Sequence, residues 1–230
     1  MRIRAGTSGW SYKEWKGHFY PEKLAAKDML RYYAEHFPTV EVNNTFYRMP
    51  NLTTLEGWAA EVPEDFSFVL KATKRITHDK RLKDVQDSVD YLLRTAGTLG
   101  SKLGPFLVQL PPNMKKDVPR LRDFLAGLTA RAAFEFRHSS WHDDEVYSAL
   151  RERNMAWCIA DTGEPDDPPF VSTADWGYFR LRRVVYEDAD LKTWADRVRG
   201  ETWKEAFVFF KHEDAGTGPK LATRFLELCR

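Results

Sequence analysis

The chain is poor in cysteine. Its two residues, Cys158 and Cys229, lie far apart in a sequence of 230, which is neither a disulfide framework nor a metal-ligand spacing, so a reducing compartment is expected. No apolar run approaches the roughly 18 residues of a membrane span, and Met1–Trp10 lacks the apolar stretch of a secretion signal. A cytoplasmic protein without a membrane partner is therefore expected. An excess of charge is missing too, with 35 Lys and Arg against 34 Asp and Glu, whereas a dedicated nucleic-acid binder usually carries a strongly basic domain. Neither a GxGxxG turn nor a P-loop occurs, and no serine has a histidine and an acid at a spacing that proposes a triad. Internal repeats, low-complexity tracts and linkers are also lacking, so residues 1–230 read as one domain.

What the chain has is alternation. Eight short apolar runs each end in a polar residue: Ile3–Thr7, Thr39–Asn43, Phe66–Lys71, Pro105–Gln109, Ala132–Arg137, Ala156–Asp161, Tyr178–Arg182 and Ala206–Lys211. Helical spacing lies between most of them. Asp28 is read as the cap of a helix stopped by Pro38; further helices are expected over Thr53–Glu61, Asp84–Leu99, Pro119–Leu128, Asp144–Arg153, Leu191–Val198 and Pro219–Leu228. Thr162–Ser172 holds Pro165, Pro168 and Pro169, so the sixth helix is expected to be short or missing. Strand and helix alternating eight times is the pattern of an α/β fold closed as a single (β/α)8 TIM barrel, whose active sites lie at the C-terminal ends of the strands.

Strand parity then selects candidates. Alternate residues of a strand face opposite sides, so Glu41 and Asn43 share a face, as do Ser67, Val69 and Lys71, and Glu135 and Arg137. The outer face must bury apolar surface against helices, which sends the polar set, joined by Gln109, Asp161 and Arg180, into the barrel mouth. Two nearby carboxylates can divide acid and base roles, and a desolvated Lys71 suits proton transfer or Schiff-base chemistry. The competing reading is a self-neutralising ion-pair network that closes the barrel, because buried charges are normally paired.

Basic clusters stand out against the neutral total. Lys71, Lys74 and Arg75 leave the third run, followed by His78, Lys80, Arg81 and Lys83; Arg180, Arg182 and Arg183 leave the seventh, and Lys211-His212 ends the eighth. Gly216 and Gly218 open the last helix, where backbone N–H groups can meet an anion. Among the aromatic residues of the first, second and fifth loops, Trp15 and Phe19 are expected to fold back and bury themselves. Trp10, Tyr47 and Trp141 are assigned to the pocket, where flat faces suit a planar ligand. No HxH or HxxxD pair ends a strand, and His138 and His142 only flank a Ser-Ser-Trp turn, so no metal and no cofactor are expected.

Several of these segments form long ordered motifs: Gly6-Thr-Ser-Gly-Trp-Ser-Tyr12, Phe19-Tyr-Pro-Glu22, Val40-Glu-Val-Asn-Asn-Thr-Phe-Tyr-Arg48, Lys71 followed by Ile76-Thr-His78, Gln109-Leu-Pro-Pro112 and Glu135-Phe-Arg-His-Ser-Ser-Trp141. In these the chain resembles, over essentially its whole length, the YecE-like family, a domain of unknown function with a TIM-barrel fold. The resemblance implies the barrel and a top-face pocket but no reaction. That family's likeness to xylose-isomerase-like barrels and endonuclease IV raises nucleic acid as an alternative partner. Two departures add positive charge: Arg180-Leu-Arg182-Arg183 stands where the family has Arg-Leu-His-Gly, and Lys211-His212 where it has an Asn-Asn pair.

The combined expectation is an enzyme acting on a phosphorylated or carboxylated small molecule at the barrel mouth. Glu135 is assigned as general base and Glu41 or Asp161 as acid, with Lys71 beside them. Arg137, Arg180 and Arg182 anchor the anion with Gly216 and Gly218. Asn43, His78 and Gln109 orient the substrate, and Trp10, Tyr47 and Trp141 stack on it. The alternatives are nucleic-acid binding, less favoured by the neutral charge, and a non-catalytic ligand sensor.

Overall fold

The computed structural model describes residues 1–230. Its strands are β1 (Arg2–Thr7), β2 (Thr39–Val42), β3 (Ser67–Lys71), β4 (Leu103–Gln109), β5 (Ala132–Glu135), β6 (Ala156–Asp161), β7 (Trp176–Leu181) and β8 (Glu205–Phe210). The helices are α1 (Met29–His36), α2 (Leu52–Glu61), α3 (Gln86–Ala96), α4 (Val118–Gly127), α5 (Asp144–Arg151), α6 (Asp188–Arg199) and α7 (Thr217–Leu228). No helix lies between β6 and β7, where the three prolines stand, as expected. None of the helices is long and apolar enough to cross a membrane.

All strand pairs are parallel, running from β2 through β8 and round to β1. The remaining gap, between β1 and β2, is bridged at the top by Ser8 and Glu41, where the Gly9 N–H donates to the Glu41 carbonyl at 2.8 Å. Lower down, the buried Tyr33 hydroxyl spans the seam. It accepts from the Thr7 N–H at 2.8 Å and donates to the Thr39 carbonyl at 3.0 Å. Gly6 permits this closeness, since a Cβ there would come 2.2 Å from the Thr39 carbonyl oxygen.

The strand periodicity divides the core in two. Val69, Leu107, Ala133, Ala156, Cys158, Trp176, Tyr178, Phe207 and Phe209 fill the barrel interior; alternate residues such as Phe68, Leu70, Phe106, Phe134 and Phe179 pack outward under the helices. The first loop folds back as expected, with Trp15 fully buried and Phe19 packed against Phe37.

Helix starts follow side-chain chemistry. Asn51, Asp117 and Asp143 accept N–H groups of the first turns of α2, α4 and α5. Asp28 does not cap α1 as the sequence pattern predicts, because a 3₁₀ turn over Ala26–Asp28 leads straight into the helix. The α6 helix starts earlier than its apolar spacing indicates, after the Glu187 N–H finds the Asp190 carboxylate at 3.0 Å.

Candidate active site

The polar strand ends of β2, β3, β4, β5 and β7 meet at the barrel mouth. Arg180 lies at the centre and joins two buried carboxylates, donating to Glu41 Oε1 at 2.8 Å and to Glu135 Oε2 at 2.6 Å. Glu41 has no exposed surface. It also accepts from the Ser8 hydroxyl at 2.7 Å, the Asn43 amide at 3.0 Å and the Tyr178 hydroxyl at 2.6 Å. Glu135 accepts from Gln109 Nε2 at 2.8 Å and Arg137 Nε at 3.2 Å, with Arg182 Nη2 at 3.5 Å. Gln109 turns its amide oxygen to Lys71 Nζ at 2.9 Å. The Lys71 ammonium sits 4.3 Å over the Phe46 ring, against which His78 packs edge-on.

These contacts decide the protonation states. Burial alone would raise the Glu41 carboxyl, but the Arg180 charge and the Tyr178 and Ser8 hydrogen bonds outweigh it and hold it below its usual range. Burial likewise opposes ionisation of Glu135, yet Arg180, Arg182 and Arg137 hold it well below that range. Lys71 moves the other way: burial, then the nearby Arg180 charge, lowers it to about 8. Burial, with Lys71 and Arg137 nearby, lowers His78 as well.

Above this floor opens a cleft of about 520 Å³, lined by Glu135, Arg137, Arg182 and Lys211 from the strand ends and by Glu164, Asp166 and Asp167 from the segment after β6. Arg180 and Arg182 both lean inward, as their parity requires, while Arg183 turns out.

Several expectations are corrected. Asp161 is not in the mouth. The inward register of β6 is Ala156, Cys158 and Ala160, which sends Asp161 outward to Arg183 Nε at 2.7 Å, Trp194 Nε1 at 2.8 Å and the Tyr186 hydroxyl at 3.1 Å. There it pins the β7–α6 loop. Glu135 and Glu41 are held ionised and saturated with donors, so neither is poised as a base or an acid near neutral pH. Arg180 is spent on those carboxylates and has no exposed guanidinium to offer a ligand.

The aromatic and glycine assignments fail too. Trp141 is fully buried, stacked on Phe136 with its indole N–H on the Met114 carbonyl. Trp10 packs edge-on against Trp58 beside a separate small pocket, and Tyr47 projects outward, 81% exposed. Gly216 lines a pocket with His18 and Asp188 that is distinct from the cleft lined by Arg182. Gly216 takes a left-handed conformation, with φ 74°, beside His18, and a Cβ on Gly218 would come 2.8 Å from the His212 carbonyl oxygen. Gly216 serves the close packing of the first loop on α7, and Gly218 that of α7 on the ends of β8 and β1. Ser8 and Tyr178, both donors to Glu41, are not among the site residues expected from the sequence, although Tyr178 shares parity with Arg180. No three His, Cys, Asp or Glu side chains converge as a metal-holding group.

A closed parallel barrel with its polar groups gathered at the C-terminal mouth defines a TIM-barrel protein. The chain belongs to the DUF72 family: the model of "Protein of unknown function DUF72" matches residues 4–230. UPF0759 protein YunF of Bacillus subtilis (strain 168) is 26% identical over 227 residues, covering 91% of this chain and 78% of YunF. UPF0759 protein YecE of Escherichia coli (strain K12) is 30% identical over 168 residues, covering 70% of this chain and 59% of YecE, under two thirds of that relative. Among solved structures, a DUF72 family protein from Thermotoga maritima superposes with a TM-score of 0.89 at 28% identity, over 99% of each chain. A xylose isomerase-like TIM barrel/4-hydroxyphenylpyruvate dioxygenase fusion protein matches with a TM-score of 0.54 at 12% identity, over 99% of this chain and 42% of that one, and shares the fold alone.

Proposed function

We propose that this DUF72 barrel is an enzyme that binds a small, hydroxyl-bearing anion, phosphorylated or carboxylated, in the cleft over Glu135. One observation carries the reading: four cationic side chains, Lys71, Arg137, Arg180 and Arg182, surround only two carboxylates, and the buried Arg182 Nε has no hydrogen-bond partner. With Arg180 spent, Arg137, Arg182 and Lys211 are the groups that hold the anion. Glu164 and Asp166, on the same cleft, accept from the ligand's hydroxyls. Glu41 and Glu135 act as a fixed electrostatic base that positions the arginines. Lys71, lowered to about 8, is the mouth group suited to proton transfer near neutral pH.

Calorimetric titration with inorganic phosphate and a panel of sugar phosphates and sugar acids tests this. Arg182→Met should weaken binding by about 1.5–3 kcal/mol, the scale of a charged hydrogen bond, with little change in melting temperature. Unchanged affinity in the variant refutes the site.

A nucleic-acid reading rests on a different feature, an open groove of about 780 Å³ that brings exposed Tyr47 and Tyr91 beside Arg48 and Arg75. Salt-dependent binding of single-stranded DNA that is lost in Tyr47→Ala favours that reading.

A further inference from the structure

Lys71 differs from the mouth arginines in its company. Arg137, Arg180 and Arg182 all reach carboxylates, whereas Lys71 forms no ion pair. Its hydrogen bond goes to a neutral amide oxygen, Gln109 Oε1, and it sits 4.3 Å over the Phe46 ring, with Arg180, Glu41, Glu135 and Arg137 acting on its charge without contacting it as ion pairs. A neutral amine makes the same bond to Gln109 through one N–H and keeps its lone pair free. The strand end that carries it is fixed, because the Thr45 hydroxyl donates to the Lys71 carbonyl at 2.7 Å. Through Gln109 the amine is linked to Glu135, which lines the anion-holding cleft.

From this arrangement we propose that Lys71 is an imine-forming nucleophile, so that the substrate carries an aldehyde or ketone carbonyl together with its anionic group, as an oxo acid or a carbonyl-bearing sugar phosphate does. The inference rests on the anion reading for its second half only. In the step, the Nζ lone pair forms a bond to the carbonyl carbon while the C–O π pair moves to oxygen. That oxygen leaves as water, carrying one proton from the amine and one from solvent, and a protonated C=N remains. Glu41 and Glu135 offset part of the cost that burial and Arg180 place on positive charge at this position, as they do for the ammonium. No redox partner is needed.

The amine is also available. At a pKa of about 8, roughly a tenth of Lys71 is neutral at pH 7, against less than about a thousandth of a lysine near 10.4.

Reductive trapping tests the proposal on the full chain. The protein is incubated with glyoxylate, a carbonyl with a carboxylate, and in parallel with uncharged glycolaldehyde, each with cyanoborohydride, and the adducts are mapped by peptide mass spectrometry. Lys71 should be labelled more than about tenfold faster than the exposed Lys192 and Lys204. Its rate should rise with a midpoint near pH 8, and phosphate should slow glyoxylate but not glycolaldehyde. Labelling of Lys71 by neither probe above the rate of Lys192 overturns the imine, even where calorimetry still shows phosphate held through Arg182. Rapid labelling by both probes without competition by phosphate supports the nucleophile and refutes the anion site instead.

Discussion

Arg180 offers the sharpest test of how the mouth is built. Its side chain is 3% exposed and holds two carboxylates that are themselves 0% and 2% exposed. Arg180→Leu removes the charge and leaves both acids in place. Glu135 retains Arg137 at 3.2 Å and Arg182 at 3.5 Å, so most of the cost falls on Glu41, whose remaining donors, Ser8, Asn43 and Tyr178, are neutral. Removing one partner of a buried ion pair costs about 3–5 kcal/mol, because the survivor is left desolvated and uncompensated. A loss of about 4 kcal/mol is expected, which at roughly 2–4 °C per kcal/mol for a chain of this size lowers the melting temperature by about 8–16 °C. Without Arg180, burial raises the Glu41 carboxyl, and protonation relieves part of the penalty, so the deficit should shrink between pH 7 and pH 4.5. Adding Glu41→Gln should likewise recover part of it. Thermal and urea unfolding at both pH values measure these differences. A loss below about 1 kcal/mol, or a double variant no more stable than Arg180→Leu, refutes the view of Arg180 as the keystone of a buried triad.

Two further outcomes follow from the same geometry. The folded value of Lys71, about 8, lies below the unfolded value of about 10.4, so the unfolded chain binds more protons between them and stability should rise with pH across that window. Below it the buried ammonium is a standing cost of at most about 3 kcal/mol; Lys71→Met should therefore stabilise the protein at pH 7 in urea unfolding and flatten the rise toward pH 10, and destabilisation at pH 7 contradicts this. Tyr33→Phe strips the β1–β2 seam of the hydroxyl that serves Thr7 and Thr39 and should cost about 1–3 kcal/mol, with faster amide exchange at Thr7; protection unchanged at Thr7 means the seam closes without it.

The barrel was legible because its signals are local. Eight apolar runs of strand length, separated by helical spacing and interrupted once by Pro165, Pro168 and Pro169, admit few other arrangements. Parity places Glu41 with Asn43, Glu135 with Arg137 and Arg180 with Arg182, because polar and apolar residues alternate along β2 and at the ends of β5 and β7; in β3 only Ser67 and Lys71 mark the inner face. The β6 strand does not alternate: Ala-Trp-Cys-Ile-Ala is apolar at five successive positions before Asp161. A strand that is apolar on both faces carries no parity signal, so nothing in the sequence tells that Asp161 points outward.

Tertiary structure alone decided the chemistry. Whether a carboxylate is a base or a scaffold depends on the charges around it, and Arg180 lies 45 residues from Glu135 and 139 from Glu41. The same distance effect distinguishes Lys71, whose amine finds an amide and an aromatic ring where its neighbours find acids. Trp141 and Gly216 show it in packing, since a buried indole and a stacking platform have the same letter in the sequence. Periodicity along the backbone determines which way a side chain points; ionisation and exposure are set by what other strands bring within a few ångströms, and that is a property of the closed barrel.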